Sequence, residues 1–410
     1  MTGASPLGQP PGLAKGHTGE KLPMELSKDQ QNALDRLLEW HKDPAGKGFI
    51  TLGGYAGTGK TTLIAVFKAR LDELSPKLRL AFCSYTGRAA QNLKNRIKET
   101  GGLSHRHSVS TIHGLIYNPV ENSRGVITGW EKKEALEKDL ILVDEASMVD
   151  GEIWKDLLSY EIPVIAVGDH GQLPPINGKF NLMQAPEILL NQIHRQAEGN
   201  PIIKLSEFAR ETGAVPPGRY GTGVVKYCQD EPEAMERSGE LLEAYNADTL
   251  ILCGYNSTRT KINRFIRNSL GFEGEIPQRR DRVICLRNNR EKNIHNGMLG
   301  TLLRIYEASK DWYEAEIEMD DNDKIYRGLV YAPQFGAKEP VNFTPDRRLA
   351  SRGDLFDFGY ALTVHKAQGC QAKRVVMFEE RFPKMDDEMW RRWLYTGITR
   401  AEEELYLFGR

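Results

Sequence analysis

The chain has 410 residues, 40% of them apolar and 27% charged, a soluble composition too long for one ordinary core. A net charge of −1 leaves nucleic acid open as a partner, since a basic groove forms locally whatever the total. A run of about 18 apolar residues and a basic-then-apolar leader are both missing from the sequence, so neither a membrane span nor secretion is expected.

Residues 1–24, rich in Gly and Pro, read as a disordered tail. From Leu26, "LSKDQQNALDRLLEWHK" has the pattern of an amphipathic helix with Ser27 as N-cap. Apolar runs then alternate with helical patterns: "GFITLGG", "LRLAFCSY", "DLILVDEA" and "IPVIAVGD". A second series follows in "TLILCGYN", "FDFGYALTVHKA", "RVVMFEE" and "ELYLFGR". Such alternation predicts α/β folding with parallel sheets, in two tandem units over about 25–190 and 191–410. Two stretches break the rhythm: about 115–138 reads as a hairpin insertion in the first unit, and about 277–356 as a β-rich insertion in the second. The cysteines Cys83, Cys228, Cys253, Cys285 and Cys370 form no CxxC pair. That argues against a zinc site or a disulfide framework and fits a reducing, intracellular compartment.

"GGYAGTGKTT" follows a predicted strand and opens a predicted helix, matching the phosphate-loop pattern at Gly54, Gly59, Lys60 and Thr61. Gly54, Ala56, Gly57, Thr58, Gly59 and Thr62 would turn backbone N–H groups toward phosphate at the positive end of that helix. Lys60 would reach the β- and γ-phosphates, and Thr61 would ligate Mg²⁺. "DLILVDEA" ends a buried strand in Asp144 and Glu145. The first carboxylate suits Mg²⁺, and the second suits polarising the attacking water. In "VGDHGQLPP" another strand ends at Gly168-Asp169, and Pro174-Pro175 stiffen the loop that aims Gln172 at the γ-phosphate position. ATP with Mg²⁺ is therefore the expected ligand pair.

Taken in order with "CSYTGRAAQNL", "VSTIHGL", "LNQIHRQ", "TVHKAQG" and "YTGITRA", these segments resemble superfamily 1 helicases, in particular their RecD/Dda-like branch. The resemblance runs from about 26 to 410. It implies two RecA-like domains, a strand-separating pin at about 115–138 and a small barrel at about 277–356. It implies that Gln30, with Gln31 adjacent, contacts the adenine edge, and that Arg195 and Arg400 approach the γ-phosphate from the second domain. His194 stands where many relatives of the wider superfamily place a base-stacking tyrosine. Thr86, Arg88, Thr111, His113, Thr363 and His365 would line a single-stranded DNA groove, through phosphate contacts that do not read sequence. Ile127 and Trp130 are the candidate wedge at a duplex junction, with a buried anchoring role for Trp130 equally open.

The implied activity is ATP-driven movement 5′ to 3′ on single-stranded DNA with duplex unwinding. The protein would be monomeric, working at single-strand/duplex junctions inside a bacterial or phage-like setting. A close rival reading is an RNA helicase or a translocase that strips proteins without unwinding. A nucleotide kinase or a nucleotide-gated switch would have no use for "GDHGQLPP" together with "TVHKAQG".

Overall fold

The computed structural model describes residues 26–44, 48–99, 103–121, 127–175, 180–192, 199–287, 289, 292, 294, 296–320, 325–337 and 352–409. The tail expected at 1–24 lies outside them.

Helix α1 (Lys28–Lys42) starts at a reciprocal capping box: Ser27 Oγ accepts from Gln30 N–H, and Gln30 Oε1 accepts from Ser27 N–H. Two otherwise orphaned donors are thereby satisfied. Its Ala33, Leu34 and Leu37 are buried, and it packs on helix α2 (Lys60–Leu74).

The first sheet has six parallel strands in the order β3 (Ser108–Thr111), β2 (Leu80–Ser84), β6 (Leu140–Asp144), β7 (Val164–Gly168), β1 (Phe49–Gly54) and β8 (Ile188–Leu190). Strands β1, β2, β6 and β7 are buried almost throughout. Covered on both faces, they read as continuous apolar runs rather than as alternation. Leu63, Phe67 and Leu71 of α2 cover one face. Ile112 and Ile116 of α4 (Ile112–Ile116) and Trp154 and Leu157 of α5 (Gly151–Leu158) cover the other. Between β2 and β3 runs α3 (Gly87–Glu99).

The second sheet runs β17 (Ala361–Thr363), β11 (Thr249–Cys253), β18 (Ala372–Phe378), β19 (Ala401–Gly409), β10 (Val224–Cys228) and β9 (Gly218–Gly221). All neighbours are parallel except β9 and β10. Strand β10 is absent from the alternation read in the sequence, because Lys226 interrupts it. The Lys226 side chain is 0% exposed and pairs with Glu379 at 2.5 Å. Helices α6 (Pro201–Thr212), α7 (Pro232–Glu243), α8 (Asn256–Ser269) and α9 (Asp387–Ile398) complete this lobe.

Within the first lobe, β4 (Tyr117–Glu121) and β5 (Ile127–Lys132) form an antiparallel hairpin. In the second, β12 (Arg282–Cys285), β13 (Leu299–Ser309), β14 (Trp312–Met319), β15 (Ile325–Tyr331) and β16 (Phe356–Phe358) form an antiparallel sheet in the order β15-β14-β13-β12-β16. Backbone bonds from Tyr331 N–H to Asp354 O and from Asp354 N–H to Leu329 O curl it toward closure. The run "FDFGYALTVHKA" is thus two strands in two sheets, not one. The break falls at Gly359, where an added Cβ would sit 2.7 Å from the Val283 carbonyl carbon. No helix among the described residues is long and apolar enough to cross a membrane.

Candidate functional site

Gly54 closes β1 and Lys60 opens α2, so the intervening loop faces the N-terminus of a helix. Gly57 and Gly59 hold φ of +81° and +75°, a region costly for any residue with a Cβ. Lys60 Nζ curls over the loop, donating to Gly54 O at 2.6 Å and Tyr55 O at 3.0 Å. Thr58 is buried and donates through Oγ1 to Tyr55 O at 2.8 Å, while Thr61 and Thr62 lie half-buried in the first turn of α2. Ala56, also half-buried, sits at the crest of the loop.

Asp144 ends β6, and its Oδ1 accepts from Glu145 N–H at 2.9 Å. Glu145 holds the left-handed conformation, φ 53° and ψ 40°, which a non-glycine residue adopts only under constraint from its surroundings. Burial, and then the Glu145 charge, push the Asp144 carboxyl up to about 6, against the pull of Glu145 N–H and Lys60. A carboxylate so disfavoured is one that a cation would stabilise. The Thr61 hydroxyl and the Asp144 carboxylate are hard oxygen donors of the kind Mg²⁺ takes while keeping several waters. Among the described residues no group of three or more His, Cys, Asp or Glu could hold a metal. A divalent ion here would therefore depend on water and phosphate for its remaining ligands.

The loop after β7 is gripped by the second lobe. Tyr395 of α9 accepts from Ala56 N–H at 2.7 Å through its hydroxyl and donates to Asp169 Oδ2 at 2.7 Å. Arg392 donates to His170 O at 2.6 Å and to Gln172 O at 3.0 Å. Leu173 N–H donates to Thr396 Oγ1 at 2.9 Å, and Gln368 Nε2 donates to Leu173 O at 2.8 Å. Gln172 is buried; its Nε2 lies 3.5 Å from Asp169 Oδ2, and its Oε1 has no partner among the described residues. The Tyr55 ring is covered by the Arg210 guanidinium, 4.1 Å from its centroid, and meets the His170 ring at 4.1 Å between centroids. Gly171 allows this approach, since a Cβ there would lie 2.9 Å from Tyr55 and 3.0 Å from Tyr395. Burial, reinforced by Asp169, pushes the Tyr395 phenol far up, so it remains a proton donor.

Two expected contacts are arranged differently. Arg400 is 3% exposed, and its guanidinium donates to Thr396 O, Cys370 O and Thr399 Oγ1, all on its own lobe. Its rigid fork is matched by these acceptors, and among the described residues the second-lobe groups at the phosphate loop are Tyr395 on Ala56 and Arg210 on Tyr55. Gln30 is brought to the loop, but its amide oxygen is committed to the cap of α1 and its nitrogen donates to Thr58 O at 3.2 Å. It braces the loop from below, while Gln31 is exposed and donates to Asp35. His194 and Arg195 lie outside the described residues. The chain just before them is tied down where Asn191 and Gln192 N–H donate to Asp29 Oδ2.

The expected DNA contacts gather at the strand ends on both lobes. Thr86 Oγ1 accepts from Ala89 N–H at the start of α3, and Thr111 Oγ1 caps α4 by accepting from Gly114 N–H. Arg88 is in α3, its side chain outside the described set. Thr363 ends β17, with His365 following, and burial lowers the His365 pKa. Across the cleft Gly369, at φ +77°, approaches so closely that a Cβ would lie 3.1 Å from Thr86 Oγ1. The two lobes thus meet where these segments do. His113 faces Tyr117 at 4.9 Å between ring centroids. In the hairpin, Trp130 is 38% exposed opposite Pro119, whereas Ile127 is placed by its backbone alone. The hairpin base is braced by Tyr160, which bonds Ile116 O and Lys133 O, and by Lys133 Nζ on Gly114 O and Leu115 O. Tyr117 donates to Asp156 beside it.

Sequence reasoning did not single out Tyr395, Thr396, Arg392 or Arg210. The available signal was helical spacing: Arg392, Tyr395 and Thr396 recur at three and four residues along α9, on one face.

The family described as AAA domain matches residues 42–178, and the UvrD-like helicase C-terminal domain matches 358–408. The ATP-dependent DNA helicase dda of Enterobacteria phage T4 is 31% identical over 456 residues, covering 93% of this chain and 99% of that protein. The ATP-dependent RecD2 DNA helicase of Deinococcus radiodurans is 27% identical over 421 residues, covering 98% of this chain and 52% of the relative. The RecD subunit of the Haemophilus influenzae RecBCD enzyme is 25% identical over 435 residues, covering 88% and 66%. The chain therefore spans about half of RecD2 and about two-thirds of RecD. A crystal structure of Bacteroides Pif1 bound to ssDNA aligns with a TM-score of 0.53 at 18% identity, covering 94% of this chain and 92% of the other. Pif1 at forked dsDNA aligns at 0.54, also with 18% identity and the same coverage, a likeness of fold alone.

Proposed function

The chain belongs to the RecD/Dda-like branch of superfamily 1 helicases, and from that premise we propose that it hydrolyses ATP to move 5′ to 3′ on single-stranded DNA and part a duplex. One observation carries the reading: the phosphate loop, the loop after β7 and α9 are hydrogen-bonded together at Ala56, Asp169 and Tyr395. The loop that would hold a nucleotide at Lys60 is thereby tied to the second lobe, as a motor requires.

Lys60 and the N–H groups of Gly57, Gly59, Thr61 and Thr62 would hold the phosphates, with Gln30 fixing the loop and Gln30 and His194 nearest the base. Thr61 and Asp144 would hold Mg²⁺, which supplies positive charge to the β- and γ-phosphate oxygens. Glu145 would orient the attacking water and take its proton, and Gln172 would report on the γ-phosphate. Arg195 and Arg400 would bring guanidinium groups from the second lobe, such groups being worth roughly 10³–10⁵ in rate. Arg400 would first have to release its own-lobe carbonyls. Thr86, Arg88, Thr111, His113, Thr363 and His365 would hold the strand, and the hairpin carrying Ile127 and Trp130 would meet the junction. We assign the first lobe to about 25–190 and the second to about 191–410, acting as a monomer.

The test is ATP hydrolysis with and without single-stranded DNA, followed by unwinding of DNA and RNA duplexes with 5′ or 3′ overhangs. Strong stimulation by DNA and unwinding from a 5′ overhang are expected. Turnover indifferent to DNA sinks the motor reading. RNA unwinding, or stimulation without unwinding, assigns the chain to an RNA helicase or a pure translocase.

A further inference from the structure

Asp169 stands 4.0 Å from the ammonium of Lys60 and is 2% exposed. A buried carboxylate so close to a phosphate-binding lysine is a competitor for it, since an ion pair formed there would have to be broken before phosphate could bind. At 4.0 Å the pair is at the outer limit of an ion pair and well beyond a hydrogen bond. Asp169 Oδ1 accepts from Gly171 N–H at 2.9 Å, and Oδ2 accepts from the Tyr395 hydroxyl at 2.7 Å. The remaining donor, Gln172 Nε2, is at 3.5 Å, too far to contribute much. Lys60 meanwhile rests on two neutral carbonyls, Gly54 O and Tyr55 O, which phosphate oxygens displace at far less cost than a carboxylate.

We infer that Tyr395 is a positioning residue for nucleotide binding: its hydroxyl holds Asp169 away from Lys60, keeping the ammonium available to phosphate. This rests on the ATP-binding role proposed for Lys60. The same hydroxyl accepts the Ala56 N–H, so it sets the crest of the phosphate loop at the same time. Tyr395 comes from the second lobe and Asp169 and Lys60 from the first, so Lys60 is free for phosphate only while α9 is docked. The phenol acts through Asp169 and does not itself touch the nucleotide.

Removing the hydroxyl leaves the buried Oδ2 without its best donor. The nearest replacement is Lys60, about 1 Å beyond a normal charged hydrogen bond. Tyr395→Phe keeps the ring and its packing, and the loss of a hydrogen bond to a charged group corresponds to roughly tenfold or more in equilibrium.

The experiment measures mant-AMPPNP affinity by fluorescence with full-length wild type, Tyr395→Phe, Asp169→Asn and the double variant, with melting temperatures alongside. Tyr395→Phe should weaken binding by about tenfold. Tyr395→Phe should cost much less in the Asp169→Asn background than in wild type, because a neutral amide has no charge to offer Lys60 and only the Ala56 bond is then lost. In steady-state hydrolysis the KM for ATP should rise in step with the dissociation constant, and kcat should change less. Unchanged affinity in Tyr395→Phe overturns the inference, and so does a double variant whose defects add. Binding does not require turnover: a wild type that binds but does not hydrolyse refutes the motor reading and leaves the binding comparison to judge Tyr395. A wild type that binds no nucleotide refutes both.

Discussion

Thr396→Val tests how the two lobes communicate. Thr396 Oγ1 accepts the Leu173 N–H at 2.9 Å, and both residues are 0% exposed. Valine has nearly the same shape, so the perturbation is the loss of one acceptor. A buried N–H left unpaired costs about 1–3 kcal/mol. Donor and acceptor lie on different lobes, so that cost falls on the contact between the loop at 169–175 and α9, sparing either lobe's own core. As a coupling energy, 1–3 kcal/mol corresponds to about 5- to 150-fold. Stimulation of the ATPase by single-stranded DNA should fall by a factor in that range, with the unstimulated rate moving much less. Thr396→Ser, which keeps the hydroxyl, should behave as wild type. The assay is phosphate release across a DNA titration, with a melting curve for each variant. Intact stimulation in Thr396→Val refutes the reasoning. Equal loss of basal and stimulated rates would instead assign the hydroxyl to folding.

Arg400→Ala should leave mant-AMPPNP affinity within a few-fold while single-turnover hydrolysis falls by roughly 10³; a variant of normal turnover would leave Arg400 a purely structural fork. Tyr160→Phe removes the hydroxyl shared by Ile116 O and Lys133 O at the base of the hairpin, where Ile116 O keeps the Lys133 N–H, so unwinding should drop with DNA-stimulated ATPase kept, and parallel loss of both would count against a separate pin. Asp144 also predicts a pH dependence. Its folded pKa, about 6 against 3.8, is raised, so the stability it contributes is present below about 4 and is lost as pH rises through 6. Without Mg²⁺, the melting temperature of wild type relative to Asp144→Asn should therefore fall between pH 4 and 7, and Mg²⁺ should restore more of it at the upper end. A difference that stays flat across that window would show that Asp144 is not destabilised when charged.

The phosphate loop was legible because its chemistry is local. Gly54 to Thr62 are contiguous, and the positive φ of Gly57 and Gly59 follows from a turn that only glycine makes cheaply. The central strands were legible because burial on both faces leaves a continuous apolar run. What escaped depends on residues far apart in sequence. Strand β10 hides Lys226 against Glu379 in the core, and no local pattern reports that a lysine has found a buried partner. "FDFGYALTVHKA" divides between sheets because Gly359 passes against the Val283 backbone, a tertiary constraint. Which residue of "YTGITRA" stands at the phosphate loop was legible only in part. The motif located the right helix end, but that Tyr395 meets the Ala56 N–H while Arg400 rests on its own lobe depends on how α9 docks on the loop after β7.

That docking constrains how the cleft can move. Leu173 belongs covalently to the first lobe, yet its side chain is packed in the second-lobe core with Leu205, Leu362 and Trp393. Withdrawing such a side chain costs about 1.5–3 kcal/mol, on top of its hydrogen bonds to Thr396 and Gln368. The contacts nearer the phosphates are different in kind. Tyr395 with Ala56 is a neutral polar bond that water can replace, of net worth about 0.5–1.5 kcal/mol, whereas the Arg392 guanidinium ties His170 O and Gln172 O to α9 by bonds from a charged group, about 1.5–3 kcal/mol each. Separation of the lobes therefore breaks the Ala56 bond before it extracts Leu173, and the loop at 169–175 travels with α9 and the segment at 363–369. Asp169, at the near end of that loop, must then shift relative to Lys60. A displacement at the DNA groove thus reaches the phosphate loop as a change in the surroundings of one ammonium group.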